Sequence, residues 1–459
     1  MRSVSKTTIR TTALFLSLLA VASLTAQENS PYSRYGIGDY FYGQHFIHKA
    51  MGGMSAAYAD GLTNNNGQTI NFNNPASYSN FFVTSYDLGL SIDSRTLRSR
   101  GAASSFNSVN FTPAYVALGV PLSKKRKIGF AFGMRQLSRI NYDIQNGERV
   151  GGVDSLLTTY KGSGGLNQAF IGIGKRWGKF SLGVNTGYNF GRKETNTRKD
   201  FVNDSVFYYS SNSQSLISFS APFINTGAQY ETTISTKEDT KAALTQTVSL
   251  RLGATFSLGQ SLSGTQDIRK ETILYDNNGA FSRLDSVLGI TGVKGKIDLP
   301  VSYSAGFMLL GRSANSRGLF ERWSFGAEYS TTQWSNYRSD FEPNDRPFNS
   351  WMARVGGQFS PDPISGRSYW SAVNYRLGFN YGKDYINANG NQLNIWSVSM
   401  GAGMPIRKWR SYDNQFTILN ATLEYGRRGG STSVVTENFF RIAMGVSLSD
   451  IWFIKRKYD

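Results

Sequence analysis

From Phe82 to the end of the chain, apolar and small or polar residues take turns. In "FVTSYDLGLSID", Phe82, Thr84, Tyr86, Leu88, Leu90 and Ile92 fall on one face, and Val83, Ser85, Asp87, Gly89, Ser91 and Asp93 on the other. A period of two is that of a strand, whose successive side chains point to opposite faces. "IGFAFGM" repeats it, with Ile128, Phe130, Phe132 and Met134 against Gly129, Ala131 and Gly133. So does "IWSVSMGAGMPI", with Trp396, Val398, Met400, Ala402 and Met404 against Ser397, Ser399, Gly401 and Gly403. In "FRIAMGVSL", Phe440, Ile442, Met444, Val446 and Leu448 oppose Arg441, Ala443, Gly445 and Ser447.

Strands of soluble sandwiches are typically about 5–6 residues long, and several segments here are about twice that, the length a tilted strand needs to cross a bilayer. Apolar-out and small-or-polar-in over such lengths predicts an all-β fold, a transmembrane antiparallel β-barrel. Alternating segments start near residues 82, 106, 127, 155, 179, 203, 245, 283, 321, 348, 369, 391, 414 and 435. That predicts about 14 strands, with the least regular stretch between 200 and 300. Tight links such as "PLSKKRK" and "KRWGK" read as periplasmic turns. Long links around 146–160, 191–215, 262–290 and 335–348 read as extracellular loops. Trp177, Trp323, Trp334, Trp351, Trp370, Trp396, Trp409 and Trp452 lie mostly at segment ends, where an interfacial girdle places them.

The beginning of the chain is different. Arg2, Lys6 and Arg10, the apolar run "ALFLSLLAVASL" (Ala13–Leu24) and then "LTA" have the order of a secretory signal peptide. Residues 1–26 are read as that signal, directing export to the cell outer membrane. Residues 27–80 precede the first strand and are read as an N-terminal hatch, a plug in the lumen. Residues 81–459 are the barrel. Within the hatch, "INFNNPASYS" is polar and built around Asn74-Pro75. Proline lacks an N–H and pushes its predecessor out of the helical region, so this decamer suits neither a buried strand nor a helix.

Charge and chemistry narrow the function. The net charge of +18 comes from scattered groups such as "KKRK" (Lys124–Lys127) and "RKETNTRK". These read as loop and rim charges, and no nucleic-acid-binding motif accompanies them. The chain has no cysteine, so disulfides and thiolate-bound metals are excluded. His45 and His48, the only histidines, sit at i, i+3 in "HFIHKAM" without a further ligand nearby, and read as a structural pair. Both lie outside the predicted wall, which leaves a barrel hydrolase without its base. Asp87, Asp93 and Glu424 fall on inward faces and read as lumenal charges. No catalytic residue, metal or cofactor is expected.

"MGGMSAAYADG" (Met51–Gly61) followed by "INFNNPASYS" resembles the N-terminal hatch of the FadL-type long-chain fatty-acid transporters of the outer membrane. Gly52, Gly53, Ala56, Ala57, Asn74, Pro75 and Ala76 carry the match. "SPYSRYGIGD", "GSGGLNQAFIGIG" and "SLGVNTGYNFG" look like the Bacteroidota branch of that family. The resemblance implies a fourteen-stranded barrel with a hatch. It also implies passive uptake of a hydrophobic, fatty-acid-like ligand that leaves sideways into outer-membrane lipid. Gly52, Gly53, Asn74, Pro75 and Ala76 would then be ligand or hatch residues. Pro113, Pro222 and Pro300 lie in or beside strands, and Pro113 is the first candidate for the kink of a lateral opening. The same branch resembles barrels that are fixed, non-transporting subunits of larger outer-membrane machines for secretion or barrel assembly. There the hatch closes the pore and the loops bind protein partners.

Overall fold

In the computed structural model, the described residues are 30–450 apart from 41–44, 61–67, 101–104, 152–153, 203–205, 240–243, 276–280, 317, 362–367, 389, 407–415 and 431–432. The signal-peptide stretch 1–26 lies outside them. The strands are β1 (Asp39–Tyr40), β2 (Thr84–Ser99), β3 (Ser105–Ser123), β4 (Ile128–Val150), β5 (Asp154–Trp177), β6 (Phe180–Val202), β7 (Ser210–Asp239), β8 (Leu244–Ser257) and β9 (Gln260–Tyr275). They continue as β10 (Phe281–Leu299), β11 (Ser302–Asn315), β12 (Gly318–Thr332), β13 (Arg338–Ser339), β14 (Ser350–Phe359), β15 (Asn374–Ala388), β16 (Asn391–Ile406), β17 (Phe416–Arg428) and β18 (Val435–Asp450). One short helix, α1 (Phe46–Ala50), precedes the wall.

All of these pairings are antiparallel. β7 pairs with β9 through Ser210–Ser220 and with β8 through Asn225–Asp239, so β8 and β9 lie end to end as one stave. β10 and β11 do the same against β9 and β8. Both staves break at one level, Leu258-Gly259 and Pro300-Val301, where Pro300 has no N–H to give the ladder. Counting each broken pair once and leaving out the short β1 and β13, the wall has 14 staves, and β18 closes it against β2. The fourteen starts read from alternation each find a stave. The largest displacement, from 203 to Ser210, falls in the stretch of weakest alternation.

The lipid face follows the pattern. On β6, Phe180, Leu182, Val184, Tyr188 and Phe190 are exposed, and Arg192 follows. From Phe180 to Phe190 the strand rises about 33 Å, enough at the usual tilt to cross the apolar band of an outer-membrane barrel. Two expectations are corrected above it. The links 146–160, 191–215 and 262–290 are mostly strand: the ladder of β4 on β5 runs up to Val150–Asp154, and that of β9 on β10 up to Tyr275–Phe281. A hairpin in water keeps pairing because that satisfies its backbone groups. With water on both faces it needs no alternation, so its sequence reads as loop. The link 335–348 is irregular apart from a one-turn 3-10 helix and β13, as expected. Trp334 is not in the girdle. It is buried in the lumen, stacked on Tyr385 with ring centroids 4.3 Å apart. Trp409 and Trp452 lie outside the described residues.

The barrel is lopsided. β4 to β7 are 23, 24, 23 and 30 residues long, whereas β14 and β17 are 10 and 13. The wall is also slit. β3 pairs with β4 only from Ser123 up to Tyr115–Arg135. At that level Ala114 bulges out of the β2–β3 ladder, next to Pro113.

The register of the closing seam is testable. Ile92 is opposite Ile442. Ile92→Cys with Ile442→Cys will cross-link on oxidation, seen as a barrel that no longer unfolds on heating in non-reducing electrophoresis. Ile92→Cys with Ala443→Cys, one residue out and on opposite faces, will stay uncross-linked.

Candidate functional site

The lumen is filled by the N-terminal segment, and the wall is shaped to receive it. α1 begins at His45, whose Nδ1 accepts the Ile47 N–H at 3.3 Å. It ends in a left-handed turn, with Gly52 at φ +69° and Gly53 at φ +90°. The Gly53 N–H returns to the His48 carbonyl at 2.7 Å. Such a stop wants glycine because a Cβ is strained there. The turn lies against β14 and β15. A Cβ on Gly378 would come within 1.9 Å of the Gly52 nitrogen, so wall and segment meet backbone to backbone.

The polar decamer "INFNNPASYS" is seated in the same way. Asn74 is extended (φ −123°, ψ 99°), as a residue before proline must be, and caps a 3-10 helix Pro75–Asn80 by accepting the Ala76 N–H. Its Nδ2 donates to the Ala56 carbonyl at 2.6 Å and reaches the Ala228 and Ala254 carbonyls of the wall at 3.3 and 3.4 Å. Asn71 Nδ2 donates to the Ser55 and Tyr58 carbonyls, at 2.7 and 2.8 Å. The proline turn rests on inward glycines. A Cβ on Gly183 would lie 2.3 Å from the Pro75 carbonyl carbon, and one on Gly129 would lie 1.9 Å from the Tyr78 carbonyl oxygen. The segment is polar because backbone and asparagine amides are its means of attachment.

Charged wall residues complete the seating. Glu328 Oε2 accepts the N–H groups of Ser55 and Ala56 at 2.6 and 2.7 Å, and its other oxygen pairs with Arg354 at 3.1 Å. Asp87 Oδ2 accepts the Ile70 N–H at 2.6 Å and contacts His45 Nε2 at 3.3 Å. Arg251 Nη1 donates to the Ala59 carbonyl at 3.0 Å while the side chain pairs with Glu231 at 2.7 Å. Above these, Asp39 of β1 sits between two guanidiniums. Arg428 meets it at 2.7 Å and Arg95 at 2.5 Å, and both also reach Glu437. Asp384 joins through Arg428 at 2.9 Å, and Asp93 joins Arg95 to Arg441. Burial pushes the Asp39 carboxyl up, but Arg428 and Arg95 outweigh it and hold it at about 2. Higher still, the 334–345 link folds inward over the segment, where Lys193 Nζ donates to the Gly36 carbonyl at 2.9 Å and pairs with Glu342 at 2.6 Å.

Among the described residues, the cavities beside Lys49 measure about 40 and 20 Å³, room for no more than a few water molecules. The first is lined by Gly52, Gly53, Arg354, Glu424, Arg428 and Arg441, and the second by Asp93, Thr112, Gln136 and Arg441.

The predicted residues are thus brought into one lumen, in separate parts. Gly52 and Gly53 border the cavity at β14–β15. Asn74, Pro75 and Ala76 sit on β5 to β8. Pro113 lies on the lipid face at the head of the β3–β4 slit. Behind the slit, β1 pairs with β4 at Asp39–Arg139 and Tyr40–Ser138, and Arg139 Nη1 donates across it to Thr112 Oγ1 at 2.7 Å. Asp87, Asp93 and Glu424 point inward as expected, but as anchors. Arg95, Arg428, Glu437 and Glu328 were missed. Alternation gives their inward face, since Arg428 follows Glu424 by four residues, but it does not give their partners.

A closed fourteen-stave antiparallel barrel with a lipid-facing apolar band and an N-terminal segment in its lumen defines an outer-membrane β-barrel. The BamG family model matches residues 8–459, and the chain belongs to the BamG family. Among solved structures it is similar in fold to the P. putida toluene transporter TodX, at 14% identity and TM-score 0.51, covering 92% of this chain and 100% of that one. The TodX deltaS2S3 mutant monoaromatic hydrocarbon channel gives 13% and 0.50, with 89% and 99% covered. The Ralstonia pickettii toluene transporter TbuX gives 12% and 0.49, with 88% and 98% covered. These relatives are transporters and channels rather than enzymes. Among curated proteins none matches.

Two outcomes test the seating. Arg428→Ala leaves Asp39, Asp384 and Glu437 buried beside an emptied position, and will destabilise the protein by about 3–5 kcal/mol, read as a lower thermal midpoint with earlier proteolysis near residue 40. Asp60 gives a pH dependence. Burial raises its carboxyl to about 6, against the hydrogen bonds from Thr69 and Tyr58. A raised folded pKa means that its contribution is full below the ordinary aspartate value and fades as pH rises through about 6. Asp39, held low, stays ionised throughout that window. Hydrogen exchange of residues 54–60 will therefore quicken, relative to its intrinsic rate, between pH 4 and 7, and Asp60→Asn will flatten that change.

Proposed function

We propose that this barrel is a sealed, fixed subunit of a larger outer-membrane protein machine, one for secretion or barrel assembly, rather than a conduit. The observation that carries this reading is β10. Above Lys296, whose N–H and carbonyl are taken by Asp340, it pairs with β9 alone among the described strands, and its other edge is open there. Register shifts at Arg283/Asp285, Ser286/Leu288 and Ile290/Val293 blunt that edge against indiscriminate pairing. Yet it holds Leu284, Val287, Ile290 and Val293 in water, above the apolar band, at 52, 67, 40 and 39% exposure. Apolar side chains grouped outside the lipid mark a protein-binding surface. The filled lumen supports the same reading. The N-terminal segment then acts as a stopper, and Gly52, Gly53, Asn74, Pro75 and Ala76 hold it in place.

A second reading has its own support. The slit at Pro113 opens toward lipid, and the fold is that of the toluene transporters. In this reading the segment is a hatch that moves, and a hydrophobic, fatty-acid-like molecule passes it and leaves between β3 and β4. Lateral exit suits a ligand that prefers lipid to water.

Gentle extraction from outer membranes followed by native mass spectrometry separates the two. The expected result is a fixed-ratio protein assembly without a small apolar ligand, weakened at least about tenfold by Val287→Asp with Ile290→Asp, since each buried apolar side chain contributes about 1.5–3 kcal/mol. A solitary barrel carrying a fatty acid that is lost on changing Asn74, Pro75 and Ala76 would replace this reading with the second.

A further inference from the structure

The outer face of the tall wall carries a concavity of about 1100 Å³ that neither reading of function uses. Its floor and rim are set by register. One cross-strand row runs Arg192, Ser218, Thr265, Lys294 over β6, β7, β9 and β10. The row below it runs Phe190, Ser220, Ser263, Lys296 over the same strands. Four hydroxyls therefore lie side by side between Arg192 at one end and two lysines at the other, about 14 Å away at the usual strand spacing. The short hydroxyl side chains leave the face concave because they fill so little of it.

The lining of this hollow carries three cations and one carboxylate; Glu194 and Asp267, in the row above, are engaged by Gln214 and by the Gly292 N–H. Among the described residues, no carboxylate forms an ion pair with Arg192, Lys294 or Lys296. Asp340 lies at the lysine end, and its Oδ2 already accepts the Lys296 N–H at 2.8 Å. Height is the second independent fact. Directly below the two rows come Tyr188 and Pro222, paired across β6 and β7, then the lipid-facing Ile224. The Tyr188 hydroxyl lies 3.4 Å from Ser220 Oγ. The hollow thus begins where the apolar band stops, at the level of the lipid headgroups.

We propose that this concavity binds the phosphate-bearing sugar headgroup of an outer-leaflet glycolipid. Its phosphate would lie between Arg192 and the lysine pair, its sugar hydroxyls on Ser218, Ser220, Ser263 and Thr265, and its acyl chains down Phe190, Tyr188 and Ile224. Basic residues at a membrane surface recognise anionic headgroups in this manner. A sugar needs neutral donors and acceptors, and a row of hydroxyls supplies both. The proposal does not depend on whether the lumen conducts or on what binds β10.

The test uses the full chain in detergent, with diphosphoryl lipid A as the probe and native mass spectrometry as the readout. Arg192→Gln, Lys294→Gln and Lys296→Gln together will weaken retention at least about tenfold, as the loss of three surface cations implies. Lys124→Gln, Lys125→Gln and Arg126→Gln, at the opposite end of the barrel, will leave it unchanged. Lipid A stripped of its phosphates will bind at least about tenfold more weakly than the intact lipid. All six side chains are exposed, and heat-modified mobility on gels identifies the folded barrels to be scored. Wild-type retention in the first variant, or equal loss in both, would overturn the proposal. So would displacement by inorganic phosphate at matched concentration, which would make the ligand a free anion.

Discussion

A backbone in lipid has no water to bond, and each of its N–H and C=O groups must find a partner in the chain. In this protein that requirement is met by closing β18 on β2, and much of the remaining architecture answers to the closure. A closed ring of 14 staves encloses space. That space is filled by chain rather than solvent, and filling it buries charge. The charge is then paired, in the cluster around Asp39 and again at Glu231 and Glu328. Buried ion pairs add little stability over apolar packing, but breaking one is expensive. Their effect here is positional: they fix where the N-terminal segment lies against the wall.

The glycines of the inner face belong to the same logic. Ordinary packing inserts side chain into side chain. Here the wall offers bare backbone at Gly129, Gly183 and Gly378, and the segment offers bare backbone in return. Amide-to-carbonyl contacts at such range are directional in a way that apolar contacts are not. Asn71 and Asn74 extend them by putting amides on side chains. A segment held in this way has one seat, which fits a component whose geometry is fixed better than one that slides.

How much of this was legible depended on what each face touched. Where one face met lipid and the other the lumen, as in Tyr86–Asp93 or Phe440–Leu448, alternation was forced and could be read directly. Where both faces met water, as in Gly147–Val150 or Phe281–Val293, nothing forced it, and strands read as loops. Trp334 misled for a related reason: tryptophan suits an interface and a core equally, and only the inward fold of the 334–345 link distinguishes them. Asn74-Pro75 was legible as a kink, because proline restricts its neighbour locally. What the kink holds was not, since its partners lie on staves more than a hundred residues away. The hollow between Arg192 and Lys294 was invisible for the same reason.

The seam joins the first stave to the last. Most of what the ring encloses, the N-terminal segment, emerges from the ribosome before β2, and the ring cannot shut until β18 exists. The described residues among 30–83 must therefore already be in place when the final pairing forms, or else be threaded through an aperture that their own seating leaves too small. The order of synthesis is thus the reverse of the order of confinement. The earliest of the described residues wait longest for their surroundings, and the barrel closes as a clasp drawn around a finished interior.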